Sequence, residues 1–278
     1  MHAPVAGYRA GSVEAPRGGV VAYLARLRDG AAAMAWAELR KLRHDHLDIA
    51  TRSVQPLLWL FIFGSALRRN RALSGGYPDY RAYLAPGVMA QGALFIAIFF
   101  GLAVIWERDV GQLQRLLATP IPRLAIVLGK SAGAGIRALA QAFVLLAVLA
   151  ATGIAIRWNA FDVIGALVLL VLGTCGFACL SMILASLVRT RERFMGIGQL
   201  VMMPLFFASS ALYPLSIMPR WLRILARGNP LTYEVHGMRQ LLLGVAAGGV
   251  LWVDFLFGIV FFAAAATIAA RAYPRAIL

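Results

Sequence analysis

Apolar residues gather into six long runs, at residues 53–68, 83–106, 124–156, 162–188, 194–213 and 250–270. A hydrocarbon layer of about 30 Å is crossed by around 20 mostly apolar residues in a helix, so each run predicts a membrane span. The first, built on QPLLWLFIFGSAL, is the shortest in continuous apolarity, and Arg52 at its edge must reach toward the headgroups. The third carries Lys130 and Arg137 near its start, and its strongly apolar part is Ala138 to Ile156.

Between the second and third runs stands WERDVGQLQRLLATPIPR, residues 106–123. Read as a helix over 107–118, it places Val110, Leu113 and Leu117 at i, i+3 and i+7 with Leu116 beside them, while Arg108, Gln112 and Arg115 lie elsewhere. Glu107 and Asp109 fall in its first turn, where the positive end of the helix dipole favours them. Pro120 and Pro122 end it. Ahead of the first span, Ala35, Leu39, Leu42 and Ile49 share a face from which Arg40, Lys41 and Arg43 are absent, the pattern of an interfacial helix over about 23–50. Residues 1–22 are rich in Gly, Pro and Ala, lack the apolar core of a secretory signal, and read as a disordered cytoplasmic tail.

Composition agrees with a membrane protein: 61% of the 278 residues are hydrophobic and 14% charged. The net charge of +15 suggests nucleic acid until the basic residues are placed. With the N-terminus in the cytoplasm, 18 of the 27 Lys and Arg fall on the cytoplasmic side and 9 on the other. That bias supports N-in and C-in and removes most of the case for nucleic acid. No half of the chain repeats the other, unlike many secondary transporters.

Candidate chemistry is sparse. Cys175 and Cys179 lie one turn apart in an apolar run and read as small packing residues. GKS at 129–131 lacks the first glycine of a phosphate-binding loop, so Gly129 and Gly133 read instead as a small-xxx-small helix contact. HDHLD at 44–48 reads as a polar collar and His236 as a lone loop histidine. Lys130, Arg137, Asp162, Glu192, Glu234 and Asp254 are all placed near span ends or in loops, which leaves the deep membrane without ionisable groups for ion coupling. No nucleophile, base and orienting group assemble, and the expectation is a protein that is not an enzyme.

WERDVGQLQRLLATPIPRLAIVLGK resembles the segment after the second span in permeases of the type-2 ATP-binding cassette (ABC) exporters, through Glu107, Arg108, Gly111, Leu113, Leu116, Leu117, Thr119, Pro120, Gly129 and Lys130. SSALYPLSIMPRWLRILARGNPLTYEVHGMRQLLLG is similar to that family's stretch between spans five and six, through Pro214, Pro219, Asn229, Pro230, Arg239 and Gly244, and QPLLWLFIFG adds a weaker match. Gln114 and His236 depart from the pattern, in which acidic residues are common there. The resemblance covers about residues 35–270.

The resemblance implies an all-α polytopic permease with six transmembrane helices, an N-terminal interfacial helix, a cytoplasmic coupling helix and short outer re-entrant helices. The transmembrane domain would run over 23–278. Such a permease works as a dimer, homomeric or heteromeric, in the bacterial inner membrane. Its partner is a cytoplasmic ABC ATP-binding subunit that holds ATP and Mg, so no cofactor is expected in this chain. Coupling residues by this resemblance are Glu107, Arg108, Gly111, Leu113, Leu116, Leu117 and Pro120; interfacial ones are Trp36, Leu39, Arg40 and Leu42; outer-gate ones are Pro214, Pro219, Asn229, Pro230 and Arg239. The apolar helices suit a hydrophobic or amphipathic cargo. Export of a polysaccharide or lipo-oligosaccharide, along aromatics such as Phe95, Phe99 and Phe206, is the alternative within the family, and a non-transporting membrane scaffold the alternative outside it.

Overall fold

The computed structural model describes residues 19–42, 46–68, 73–77, 79–119, 121–188, 190–244 and 250–273. The fold is all-α among these. In chain order the helices are α1 (Val20–Leu42), α2 (His46–Ala66), α3 (Tyr80–Asp109), α4 (Gln112–Leu117), α5 (Arg123–Ala151), α6 (Ala160–Leu187), α7 (Arg191–Phe207), α8 (Arg220–Arg227), α9 (Pro230–Leu243) and α10 (Leu251–Ala272), with a short 3₁₀ turn at Leu215–Ile217. Four of them, α3, α5, α6 and α10, are long and apolar enough to cross a membrane.

Their starts follow from local chemistry. Asp79, Asn159 and Asn229 each accept a hydrogen bond from the backbone N–H two residues on, and Thr190 accepts one from Arg193, so four helices begin on a polar cap. Pro230 at the first position of α9 sacrifices an N–H that had no helical partner. α3 and α6 form the centre, and most of α3 is buried from Tyr80 to Ile105. α6 brings Phe177, Ala178 and Leu170 into the same core.

Glycines set the closest approaches. A Cβ at Gly129 would collide with Met34, and one at Gly133 would come within 2.7–2.8 Å of Glu38. The small-xxx-small pair therefore seats α1 directly on α5. Cys175 and Cys179 are buried packing residues of α6, Cys175 donating its thiol to the Ser131 carbonyl at 3.2 Å.

Several sequence expectations need correction. The helix expected over 107–118 is two pieces: α3 runs on through Asp109, and α4 begins after Gly111, whose left-handed φ of +71° makes the break. Glu107 and Asp109 thus end a helix instead of starting one, and the dipole there disfavours them. The helix expected over 23–50 stops at Leu42, and residues 46–50 belong to α2, where the Ser53 hydroxyl bonds back to the Ile49 carbonyl at 2.7 Å within one continuous helix. Helix α1 also starts at Val20, inside the stretch read as tail; residues 1–18 lie outside the described residues, as do residues 43–45 of HDHLD. The expected fifth span, 194–213, ends as a helix at Phe207, after Pro204 has removed one backbone donor from its last turn.

Candidate functional site

At 1.5 Å per residue the 30-residue α3 holds its two ends about 45 Å apart, and the residues singled out in the sequence sort between those ends. At the Asp109 end, the last turn of α3 is fastened in three directions. Glu107 receives the ammonium of Lys130 from α5 at 2.5–2.6 Å, with the lysine side chain only 4% exposed. Arg108 donates to the Val188 carbonyl at 3.3 Å. Asp109 pairs with Arg191 of α7 at 3.0 Å, and that guanidinium also lies 4.8 Å from the Trp106 ring centroid. The unfavourable dipole at the end of α3 is answered by cations from two neighbouring elements.

Short α4 is seated by one side chain. Leu113 is fully buried in a cluster with Val104, Ile105, Ile126 and Phe194, and Leu116 packs against that cluster. Gln112, Gln114, Arg115, Val110, Trp106 and Thr119 are exposed. Leu113 and, in part, Leu116 are thus turned into this chain, Val110 is not, and the surface that α4 offers outward is mostly polar. Leu117 lies in α4, its side chain outside the described residues together with Pro120.

Helix α1 joins the same end. Glu38, 8% exposed, takes Lys41 at 2.8 Å and Arg137 of α5 at 2.9 Å. Burial pushes the Glu38 carboxyl up, and the hydrogen bonds and charges of Lys41 and Arg137 outweigh that and hold it below the usual range. Of the interfacial residues, Leu42 is buried, Leu39 half-buried, and Trp36 and Arg40 exposed.

At the Tyr80 end of α3 the fastening is of another kind. Arg239 of α9 is 3% exposed and donates to the Tyr83 carbonyl at 3.2–3.3 Å and the Ser210 carbonyl at 3.0 Å, its guanidinium 3.7 Å from the Tyr83 ring centroid. Asn229 gives its amide N–H groups to the carbonyls of Leu205 and Ala208 at 2.6 and 2.8 Å, satisfying acceptors left open where α7 ends. Arg223 of α8 binds the carbonyls of Leu215, Ser216 and Met218, which fixes the turn between Pro214 and Pro219. Asp79, at the mouth of α3, is desolvated but held below the usual carboxylate range by Arg81 and Arg68. Asn229, Pro230 and Arg239 are brought together on α9, with Pro214 and Pro219 on the adjoining turn.

Two findings went beyond the sequence reading. Lys130 pairs with Glu107 across 23 positions, a distance no local spacing reveals, although both belong to the same motif. The expectation that Glu234 and Asp254 sit in loops or at span ends, away from the interior, is corrected in part: the stretch before α10 folds in as α9 and buries Glu234 against Gly173, midway along α6. Asp254, 3% exposed in the first turn of α10, meets His236 at 2.9 Å. His236 is therefore not a lone histidine. Glu38 with Lys41, at i and i+3, did offer a local signal.

Comparison with known proteins identifies the family. The profile of the ABC-2 type transporter family matches residues 31–243. Nodulation protein J of Rhizobium leguminosarum bv. trifolii is 30% identical over 192 residues, which is 68% of this chain and 72% of that protein. A chain named as transport permease ycf38 from Cyanophora paradoxa is 29% identical over 204 residues, 72% of this chain and 70% of its own length. Daunorubicin resistance ABC transporter permease protein DrrB1 of Streptomyces coeruleorubidus is 22% identical over 215 residues, 76% of this chain and 74% of that one. The family match spans both ends of α3, the α1 seat and the α9 insertion, and with it the chain belongs to the ABC-2 type transporters, a family of membrane transport permeases.

Proposed function

We propose that this chain is the membrane subunit of an ATP-driven exporter in a bacterial cytoplasmic membrane, with α2, α3, α5, α6, α7 and α10 as its six spans and both termini inside. Helix α1 lies along the inner surface, α8 and α9 form the outer re-entrant pair, and two permease copies flank the path. A separate cytoplasmic subunit binds and hydrolyses ATP. The single observation that carries the reading is the seat of α4: buried Leu113 and the Glu107 and Lys130 pair make α3, α4 and α5 one unit, so a push on the exposed face of α4 moves two long helices. Gln114, Arg115 and Val110 are exposed on that face.

The cargo by this reading is hydrophobic or amphipathic, in keeping with the relative named for daunorubicin resistance. The test is to isolate the tagged chain gently from its native membrane and identify what accompanies it. An ATP-binding subunit in about equal amount, lost in the Val110→Asp and Arg115→Glu double variant while the chain still inserts, is the expected result. A chain that comes alone, or a partner indifferent to both substitutions, would remove the exporter reading and leave a scaffold.

A further inference from the structure

Three adjoining hollows run along α3 on the side it shares with α2. The first, about 270 Å³, lies among α1, α2, α3 and α5 and is lined by Lys41, Arg52, Lys130 and Arg137 with Glu38 and Glu107. Among the described residues that line it, four are cations and two are carboxylates. Stacking fixes two of the guanidinium groups, Arg52 at 4.7 Å from the Phe99 ring centroid and Arg137 at 5.0 Å from that of Phe100. The second hollow, sharing Arg52 and Phe99 with the first, is bordered by the amides Gln55, Gln91 and Gln141. The third shares Gln55, Gln91 and Phe95 with the second and is otherwise closed by Trp59, Met203 and Phe207 with their neighbours. Charge gives way to amides and amides to apolar side chains, in that order.

Gln91 supplies an independent sign. It is 3% exposed, and its amide oxygen has no hydrogen-bond partner, although it borders both the second and the third hollow. A buried acceptor without a donor is destabilising, and at the border of two hollows it can be met by a donor from outside the protein. Gln141, beside it, is already engaged with the Arg52 carbonyl at 2.8 Å. The donor that Gln91 lacks would belong to a molecule seated between the charged and the apolar hollows.

We propose that these hollows form one binding site for an amphiphile with a phosphate-type anionic head, a hydroxyl or N–H donor just behind it, and an acyl or similar apolar tail. The head sits among Lys41, Arg52, Lys130 and Arg137, the donor reaches Gln91, and the tail passes Trp59 and leaves the protein past the exposed Met203 and Phe207, because the second and third hollows hold only about 60 and 50 Å³. Ring-held Arg52 and Arg137 and buried Lys130 can make charge-assisted hydrogen bonds to such a head, the strong kind. The step from bound amphiphile to cargo rests on the exporter reading above; the site itself does not.

The test measures equilibrium binding to the full chain in phosphatidylcholine nanodiscs with three probes. Lysophosphatidic acid carries head, hydroxyl and tail; the matching monoacylglycerol lacks the charge; glycerol 3-phosphate lacks the tail. Lysophosphatidic acid should bind at least about ten-fold tighter than either, since one charged hydrogen bond alone is worth about that factor. Arg52→Gln should remove about ten-fold of its affinity, and Gln91→Met a smaller share that monoacylglycerol also loses. Met203→Trp, at a position 42% exposed and so tolerant of bulk, should weaken the two acyl probes and leave glycerol 3-phosphate unchanged. Equal binding of lysophosphatidic acid and monoacylglycerol, or of lysophosphatidic acid and glycerol 3-phosphate, overturns the proposal, as does indifference to both Arg52→Gln and Gln91→Met in folded protein.

Where the ATP-binding subunit is co-isolated, adding ATP and Mg separates the two sources of such a ligand. Bound lipid that leaves is cargo, bound lipid that stays is a resident of the membrane, and the site stands in both cases. A chain that shows head and tail selectivity but has no ATP-binding partner would keep this site and lose the exporter reading. An assembled, ATP-hydrolysing complex without that selectivity would do the reverse.

Discussion

The two ends of α3 are both locked by buried charge, and they are locked in opposite ways. At the Asp109 end three carboxylates each meet an opposite charge from another element or turn: Glu107 with Lys130, Asp109 with Arg191, Glu38 with Arg137 and Lys41. At the Tyr80 end Arg239 is held by neutral carbonyls and a ring, and Glu234 nearby on the same helix has no hydrogen-bond partner at either oxygen. A cation on carbonyls has no single partner to lose, so its loss is felt as several open acceptors at once. Ion pairs are coupled two by two, so deleting either member strands the other, and deleting both costs less than the sum. Charge pairs can also be exchanged for new partners as helices shift, which carbonyls locked into the fold cannot match.

The comparison breaks most visibly at Arg239. Arg239→Met should lower stability by about 3 kcal/mol, because the buried Tyr83 and Ser210 carbonyls lose the guanidinium donor. Unfolding in mild detergent measures it, and a change below about 1 kcal/mol would mean that water already serves those carbonyls. Next is Gly133→Val, whose branched side chain must displace Glu38 and lift α1 from α5; overpacking of this kind costs about 1–3 kcal/mol. Labelling of a cysteine placed on the α5-facing side of α1 should rise with it. Third is the cycle Glu107→Gln, Lys130→Met and both together, with an expected coupling of about 1–2 kcal/mol for a pair in direct contact. Additive effects would show that the pair only fills space.

Periodicity made the long helices legible, because twenty apolar residues in sequence have few other uses. It also located α1 and the small-xxx-small seat at Gly129 and Gly133, since a one-turn spacing of glycines marks a face directly. It failed at residues 107–118, where the pattern of leucines continues smoothly through Gly111 and only the backbone shows the break. Leu113 illustrates why: an apolar face says that something covers it, and the cluster of α3, α5 and α7 residues of this chain does so. The α9 insertion was hidden for a related reason. Its charged residues lower the mean hydropathy to that of a loop; the carbonyls that offset the burial of Arg239 come from Tyr83 and Ser210, and the room for Glu234 comes from Gly173, all remote in sequence. Of the candidate site, the motif residues were visible and their partners were not, because an ion pair across 23 or 99 positions leaves no local trace.

The smallest effect sharpens the comparison through pH. The Glu38 carboxyl lies below its ordinary value of 4.5 once α1 is docked, because Lys41 and Arg137 outweigh the effect of its burial. Detached α1 therefore binds that proton more readily than docked α1. Docking keeps the full benefit of the pairing above pH 4.5 and loses it as pH falls through the depressed value. Release of α1, followed by a fluorescence label opposite Met34, should rise over that window, and Glu38→Gln should be looser at neutral pH and lose this step. Arg239 faces only carbonyls and tyrosine rings, none of which changes charge in that range, so its contacts at the Tyr80 end should stay fixed through the same titration. Equal loosening of the Arg239 contacts in an Asp79→Asn background, where the pairing of Asp79 with Arg81 and Arg68 no longer titrates, would place the acid sensitivity elsewhere and dissolve the distinction between paired and carbonyl-held charge.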